Sequence, residues 1–128
     1  MGLLPEQTGP VQIYRDEHLS VDFRQQLALL DNRPLTLTRK EYDLLALLVR
    51  HAGEIVPREA LLMRIWGYGA DIRTRTLDVH IRRLRKKLGN LADQYIETIF
   101  GIGYRFQPFH APRFQNSDSD RSLFAVSA

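Results

Sequence analysis

Residues 75–88 read RTLDVHIRRLRKKL, and this stretch decides the fold. Leu77, Ile81, Leu84 and Leu88 recur at α-helical spacing and fall in one narrow stripe of the kind that faces a core. With Leu77 at zero on a helical wheel, Arg82, Arg75, Lys86, Val79 and Arg83 lie at about 140°, 160°, 180°, 200° and 240°. The face opposite the core is therefore basic, with one valine set in it. His80 and Lys87 flank that face on one side, and Asp78 and Arg85 on the other. Residues 73–87 hold seven Arg and Lys against the single Asp78, a surplus of six on a chain whose total charge is +3. The rest of the protein is slightly acidic, so the positive charge is local.

A helix face that is merely solvated usually mixes signs, because like charges one turn apart repel. Arg75, Arg82, Arg83, Lys86 and Lys87 have little acidic compensation, and phosphates would supply it. The guanidinium fork suits phosphate or guanine O6 and N7, and the valine surface suits a thymine methyl. These residue types on one rigid face favour nucleic acid as the partner. A helix lying on a bilayer needs a large apolar face toward lipid. This helix commits its apolar stripe to the core, so no membrane role is expected.

Working outward, the third helix starts near Thr74 and stops at Gly89. Before it, Thr38-Arg39-Lys40-Glu41 fits a capping box, and Leu37 with Tyr42 fits the accompanying hydrophobic staple. The first helix is predicted over about 39–52, with Gly53 as its stop. Pro57 suits the first turn of a second helix that runs to Trp66 and Gly67. Residues 11–37 alternate in short runs. Leu19, Val21 and Phe23 share one face, Leu27 and Leu29 another, and Leu35 and Leu37 repeat the spacing. Asp31-Asn32-Arg33-Pro34 is turn chemistry, so three or four antiparallel strands are expected here. Beyond the third helix, residues 95–100 alternate, Gly101-Ile102-Gly103 turns and Tyr104-Arg105-Phe106 returns as a hairpin. Residues 1–10 read as a linker or loose N-terminus, 11–107 as one folded domain, and 108–128 as a flexible tail, with Phe109, Phe114 and Phe124 leaving open some docking of that tail onto the body.

The 128 residues suffice for one ordinary domain. Cysteine is absent, which excludes disulfide scaffolds, thiolate zinc sites and cysteine nucleophiles. The longest apolar run, residues 44–49, is far short of the roughly 20 residues a membrane span needs. No signal peptide is visible, and a soluble cytoplasmic protein is expected. His18, His51, His80 and His110 are scattered without partner ligands, so neither a metal nor a cofactor is expected. Gly67-Tyr68-Gly69 and Gly101-Ile102-Gly103 are incomplete as dinucleotide fingerprints and read as turns. Asp16, Glu17 and Asp22 have no second catalytic group. A small nuclease would need an acidic metal-binding constellation, and none is apparent, so the chain is not read as an enzyme.

The order sheet, helix, helix, loop, basic helix, hairpin is α+β, winged helix-turn-helix topology: an N-terminal antiparallel sheet, three helices and a C-terminal β-hairpin wing. Four blocks resemble the OmpR/PhoB family, the DNA-binding effector domains of two-component response regulators. They are Leu37-Thr38-Arg39-Lys40-Glu41-Tyr42-Asp43-Leu44-Leu45, then Arg58-Glu59-Ala60-Leu61-Leu62 through Ile65-Trp66-Gly67, then residues 75–88, then residues 96–99 with 101–106. Together they cover nearly all of residues 11–107. The resemblance implies sequence-specific binding of double-stranded DNA, with the third helix in the major groove and the wing near the adjacent minor groove. It implies base-facing roles for Val79, Arg83, His80 and Lys86. It implies phosphate contacts from Arg58, Trp66, Arg75, Thr76, Arg82, Lys87 and Thr98, and wing roles for Phe100 and Arg105. The loop Gly67, Tyr68, Gly69, Ala70, Asp71, Ile72 and Arg73 matches the segment that meets RNA polymerase in some members. A second copy on tandem half-sites is implied as well.

Two positions depart from the family pattern. Phe100 stands where arginine is frequent, and Pro57 where many members have a serine cap. At the tip, Phe100 either folds back on Tyr104 or the third helix, which is the expectation, or packs against sugar edges in the minor groove. The family's receiver domain has no counterpart here, so a cut-out effector domain and a stand-alone regulator both stay open. The runner-up function is a winged-helix interaction module whose basic face meets an acidic protein.

Overall fold

A computed structural model describes residues 11–67, 74–109 and 112–115. The strands are β1 Ile13–Arg15, β2 Leu19–Asp22, β3 Leu27–Leu30, β4 Arg33–Pro34, β5 Ile55–Pro57, β6 Ile96–Ile99, β7 Gly103–Phe106 and β8 Arg113–Gln115. The helices are α1 Arg39–Arg50, α2 Arg58–Trp66, α3 Thr76–Leu88 and the short α4 Ala92–Tyr95, which a 3-10 turn at Gly89–Leu91 joins to α3. The described residues divide into two compact units, 11–34 with 112–115, and 35–67 with 74–109.

The first unit is an antiparallel sheet in the order β4-β3-β2-β1-β8. Leu30 pairs with Arg33, and the two residues between them, Asp31 and Asn32, both have positive φ. That is the two-residue hairpin geometry whose twist suits antiparallel strands. The turn is therefore tighter than expected, since Arg33-Pro34 belong to a strand. Asp16 and Asp22 serve turns too: Asp16 accepts from the backbone N–H groups of His18 and Leu19 at 2.8 Å, and Asp22 from those of Arg24 and Gln25. Asp31 hydrogen-bonds the His18 ring at 2.6 Å, and this bond raises the His18 pKa above its ordinary value.

In this unit one expectation is met and one is corrected. In β3 the buried residue is Ala28, while Leu27 is exposed. The register pairs Val21 with Ala28 and Leu19 with Leu30, so Leu27 and Leu29 lie on the other face from Leu19 and Val21, as expected. The flexible-tail reading of 108–128 is corrected over Arg113–Gln115, which pair with β1 as β8, the docking that Phe114 left open. Phe114 there lies 4.9 Å from the Tyr14 ring.

In the second unit α1, α2 and α3 pack together, and a three-stranded sheet has the order β5-β7-β6. The capping box forms as expected: the Glu41 N–H donates to Thr38 Oγ1 at 3.3 Å, and the Thr38 N–H to Glu41 Oε1 at 3.0 Å. Leu44, Leu45, Leu48, Leu61, Leu62, Leu77, Leu84 and Phe106 are fully buried and form the core. Strand β5 was not foreseen. Pro57 ends it and precedes α2 as its N-cap, one residue outside the expected first turn. The first helical donor, the Arg58 N–H, is satisfied by the Ile102 carbonyl at 2.9 Å. This bond ties the β6–β7 hairpin to the start of α2. Leu35 and Leu37, expected as strand, lie outside any strand. No helix among the described residues is long and apolar enough to cross a membrane.

Candidate nucleic-acid interface

Helix α3 presents its two faces as the wheel requires. Leu77, Ile81, Leu84 and Leu88 are buried, and Arg75, Arg82, Arg83, Lys86 and Lys87 are exposed. Val79 is 38% exposed, open enough to meet a partner. Thr74 Oγ1 accepts from the Thr76 N–H at 3.3 Å at the helix start, and Asp78 stands in the first turn, where a negative charge is favourable. Gly89, at φ +65°, closes the other end.

The Asp78 and Arg85 side of α3 carries the hairpin. Asp78 accepts from Arg58 Nη1 at 2.6 Å and from the Tyr104 hydroxyl at 2.8 Å. Arg58 Nη2 donates to the Thr74 carbonyl at 3.1 Å. Burial, then the hydrogen bond to Asp78, pushes the Tyr104 hydroxyl up to about 12, so it stays a donor. Arg85 Nη2 donates to the Ile96 carbonyl at 2.9 Å and to Thr98 Oγ1 at 2.7 Å, with its guanidinium 5.8 Å from the Tyr104 ring centre. Further along the hairpin, Glu97 accepts from Gln107 and from Arg105, which hold its carboxyl below the usual range.

The other flank of α3 meets α1 and α2. Trp66 packs edge-on to His80, with ring centres 5.0 Å apart. His80 Nδ1 donates to the Thr76 carbonyl at 2.8 Å. Lys40 Nζ donates to the Ile65 carbonyl at 2.7 Å, closing α2, and lies 5.8 Å from the Trp66 ring centre. Lys87 Nζ donates at 2.5 Å to Glu41 Oε1, a carboxylate that is only 2% exposed. Burial pushes Glu41 up, but the bonds from Lys87 and Thr38 outweigh it and leave the carboxyl below its ordinary value.

The expected interface residues thus fall into two groups. Arg75, Val79, Arg82, Arg83 and Lys86 share the open face. Arg58, Thr98, Lys87 and Arg105 each hold a protein partner, and His80 and Trp66 lie against one another. Thr76 sits at the helix start beside Thr74, their hydroxyls 3.0 Å apart. Gly67 ends α2 at φ +95°, while the rest of the loop, residues 68–73, lies outside the described residues. Phe100 overturns the expectation that it folds back, being 89% exposed at the hairpin tip. Sequence reasoning missed the roles of Asp78, Arg85 and Tyr104 as the hairpin's attachment, and of Glu41 as the anchor of Lys87.

The family profile described as "Transcriptional regulatory protein, C terminal" matches residues 32–106, more than half of the chain. The Bacillus subtilis "Uncharacterized transcriptional regulatory protein YclJ" is 41% identical over 104 residues, covering 77% of this chain and 46% of that protein. The Staphylococcus aureus "Transcriptional regulatory protein SrrA" is 37% identical over 94 residues, covering 71% of this chain and 39% of its own. The chain thus spans less than half the length of these relatives. Among solved structures, the Klebsiella pneumoniae RstA DNA-binding domain in complex with the RstA box is similar at TM-score 0.70 and 34% identity, over 77% of this chain and 99% of that one. The DNA-binding domain of CpxR from E. coli is similar at TM-score 0.68 and 30% identity, over 78% and 98%. By the family match and these likenesses, the protein belongs to the OmpR/PhoB-type family of C-terminal domains of transcriptional regulatory proteins.

Proposed function

We propose that this chain binds double-stranded DNA through α3 and regulates transcription as the effector domain of a response regulator, by binding and without turnover. The observation that carries the reading is the open basic face of α3, backed by a fully buried stripe and braced on both flanks. Arg83, Val79 and Lys86 are assigned to base edges, with His80 beside them. Arg75, Arg82 and Thr76 are assigned to phosphates. Arg58, Trp66, Lys87 and Thr98 support that set mainly by fixing α3 and the hairpin. The test is a salt titration of binding to duplex DNA, where log affinity should fall steeply with log salt. A module for an acidic protein shows no such slope, and a nuclease degrades the probe.

Arg83→Ala should weaken specific binding by about 1–3 kcal/mol and relax base preference at one position. Arg75→Ala should weaken binding alike across sequences and flatten the salt slope by about one, since phosphates carry no base identity. Selection from random duplexes with each variant checks both. An unchanged motif for Arg83→Ala beside an altered one for Arg75→Ala would reverse the assignment.

The helices expose large apolar residues only singly, as at Met63 and Val79, and so present no dimer seam among the described residues. We therefore expect a monomer in dilute solution that loads as two copies on tandem half-sites about one helical turn apart, roughly 10–11 bp. Sedimentation at micromolar concentration without DNA measures this, and a stable dimer there contradicts it. Contact with RNA polymerase through residues 67–73 and a cytoplasmic location complete the proposal.

A further inference from the structure

Strand β8 closes one edge of the five-stranded sheet, and it lies beyond residues 32–106, the stretch that the family profile matches. A sheet edge is a row of unpaired backbone groups that another strand can join, and proteins blunt it with short strands, proline or charge. The β4 edge is blunt, being two residues long and ending in Pro34. Strand β1 is not. It reads Ile13-Tyr14-Arg15, with Ile13 and Tyr14 buried and no proline, and without β8 it would form the other edge of the sheet. Strand β8 is itself three residues long, follows Pro112 and exposes Arg113, so it presents a blunter edge than the one it hides.

The cover fits closely but is lightly held. Tyr14 stands opposite both Val21 and Phe114, and Val21 opposite Ala28, so Phe114 ends a row of same-face residues that crosses four strands. Phe114 packs on the buried Tyr14 ring and is itself 42% exposed. The attachment rests on three residue pairs, and Gln115 Oε1 is buried with no hydrogen-bond partner among the described residues, which weakens it. Belonging to the same chain gives β8 an effective concentration that no free strand in dilute solution matches. The strand able to replace β8 is β1 itself, since both are three residues with an aromatic in the middle. Two β1 strands running antiparallel about a two-fold axis put Tyr14 opposite Tyr14, where Phe114 stands now, and Arg15 opposite Ile13, where Arg113 stands now. Each contact of the cover thus has a counterpart in a second copy, and no further charge is buried.

We propose that β1 is a self-pairing edge and β8 its built-in cover: when Arg113–Gln115 lift, β1 pairs with β1 of a second copy, and while they are seated the protein stays monomeric. The proposal concerns the first unit alone and does not depend on the DNA-binding reading.

The experiment uses the full chain. Phe114→Pro removes a backbone donor together with the ring and unseats β8, whereas Phe114→Ala removes the ring alone. Sedimentation from micromolar concentration upward should find wild type monomeric and both variants in monomer–dimer equilibrium. Phe114→Pro should associate about ten-fold or more above wild type, because the competing strand of its own chain is lost. A synthetic peptide of residues 107–116 should return both variants to monomer by taking the β1 edge. The chain has no cysteine, so Arg15→Cys with Arg113→Cys, at directly opposed positions, can be added to Phe114→Ala as a lock. Oxidised, that protein should be monomeric; reduced, it should associate again. Cooperative melting establishes that the variants are folded, and where Phe114→Pro loses it, Phe114→Ala and its lock decide. Folded variants that stay monomeric throughout overturn the proposal, as does a wild type already dimeric with β8 in place. Dimers that neither the peptide nor the lock dissolves overturn the assignment to β1. Loss of cooperative melting in both variants also overturns it, because β8 would then be part of the sheet's core and not its cover.

Discussion

Gly103→Ala is expected to unseat β5 and destabilise the unit spanning residues 35–109 by about 3 kcal/mol, the upper end of the usual cost of overpacking. Gly103 is buried in β7, the central strand, between Pro57 of β5 and Ile99 of β6. A Cβ built there lies 2.0 Å from the Val56 carbonyl oxygen and 2.9 Å from Pro57 Cα. Both obstacles are backbone, so no side chain can rotate away, and β5 must move. Its displacement also pulls on the bond from the Arg58 N–H to Ile102, which anchors the hairpin to α2. For a unit of this size the melting temperature should fall by roughly 10–20 °C. Gly101→Ala is the control, since an added Cβ there meets nothing within 4 Å and the cost is only that of its φ of +78°, about 1–2 kcal/mol. Equal melting shifts for the two variants would show that backbone conformation, not the close approach of β5, makes glycine necessary at 103.

That approach also marks where the sequence stops being legible. Helix α3 was readable because its pattern is local: four apolar residues and five outward basic ones obey one period over fourteen positions. The capping box was readable for the same reason, since Thr38 and Glu41 are three residues apart. Strand β5 is three residues long, and its Pro57 suggests a helix start as readily as a strand end. What makes it a strand is pairing with Arg105 and Tyr104, about fifty residues away. Strand β8 depends on β1 from the opposite end of the chain. In β3 the run Leu27-Ala28-Leu29-Leu30 is apolar throughout, so alternation carries no phase and only the register with β2 reveals that Ala28 is the buried residue. The charged residues follow the same division. A helical wheel places Arg83 and Lys86 outward, but it cannot show that Lys87 finds Glu41, or that Arg58 and Tyr104 converge on Asp78. Those contacts need the tertiary packing of α1, α2 and β7 around α3.

Lys87→Met should cost about 2–4 kcal/mol at neutral pH, because it strands a buried carboxylate. Glu41 is 2% exposed, and Lys87 Nζ is the cation at 2.5 Å from it. Breaking a fully buried pair costs about 3–5 kcal/mol, and the figure is lowered here because Lys87 is about one-third exposed and the Thr38 N–H still binds Glu41. Methionine keeps the aliphatic bulk of the lysine, so the effect isolates the charge. In wild type the Glu41 carboxyl sits below its ordinary value of 4.5. Its contribution is therefore fully present above that value and is lost as pH falls through the lower folded-state value. Without Lys87, burial is opposed only by Thr38, and Glu41 takes up a proton at higher pH than in wild type. Protonation then relieves the variant before wild type loses its pair. The stability gap should be widest near neutrality and should narrow as pH falls below the ordinary carboxylate range. Adding Glu41→Gln should recover much of the loss, since the amide oxygen can still accept from the Thr38 N–H and no charge remains buried. Denaturant unfolding of wild type and the single and double variants at pH 7 and near pH 4 measures all of this. A gap of equal size at both pH values, with no recovery in the double variant, would mean that Lys87 acts on α3 through packing alone and that its ammonium is available to DNA.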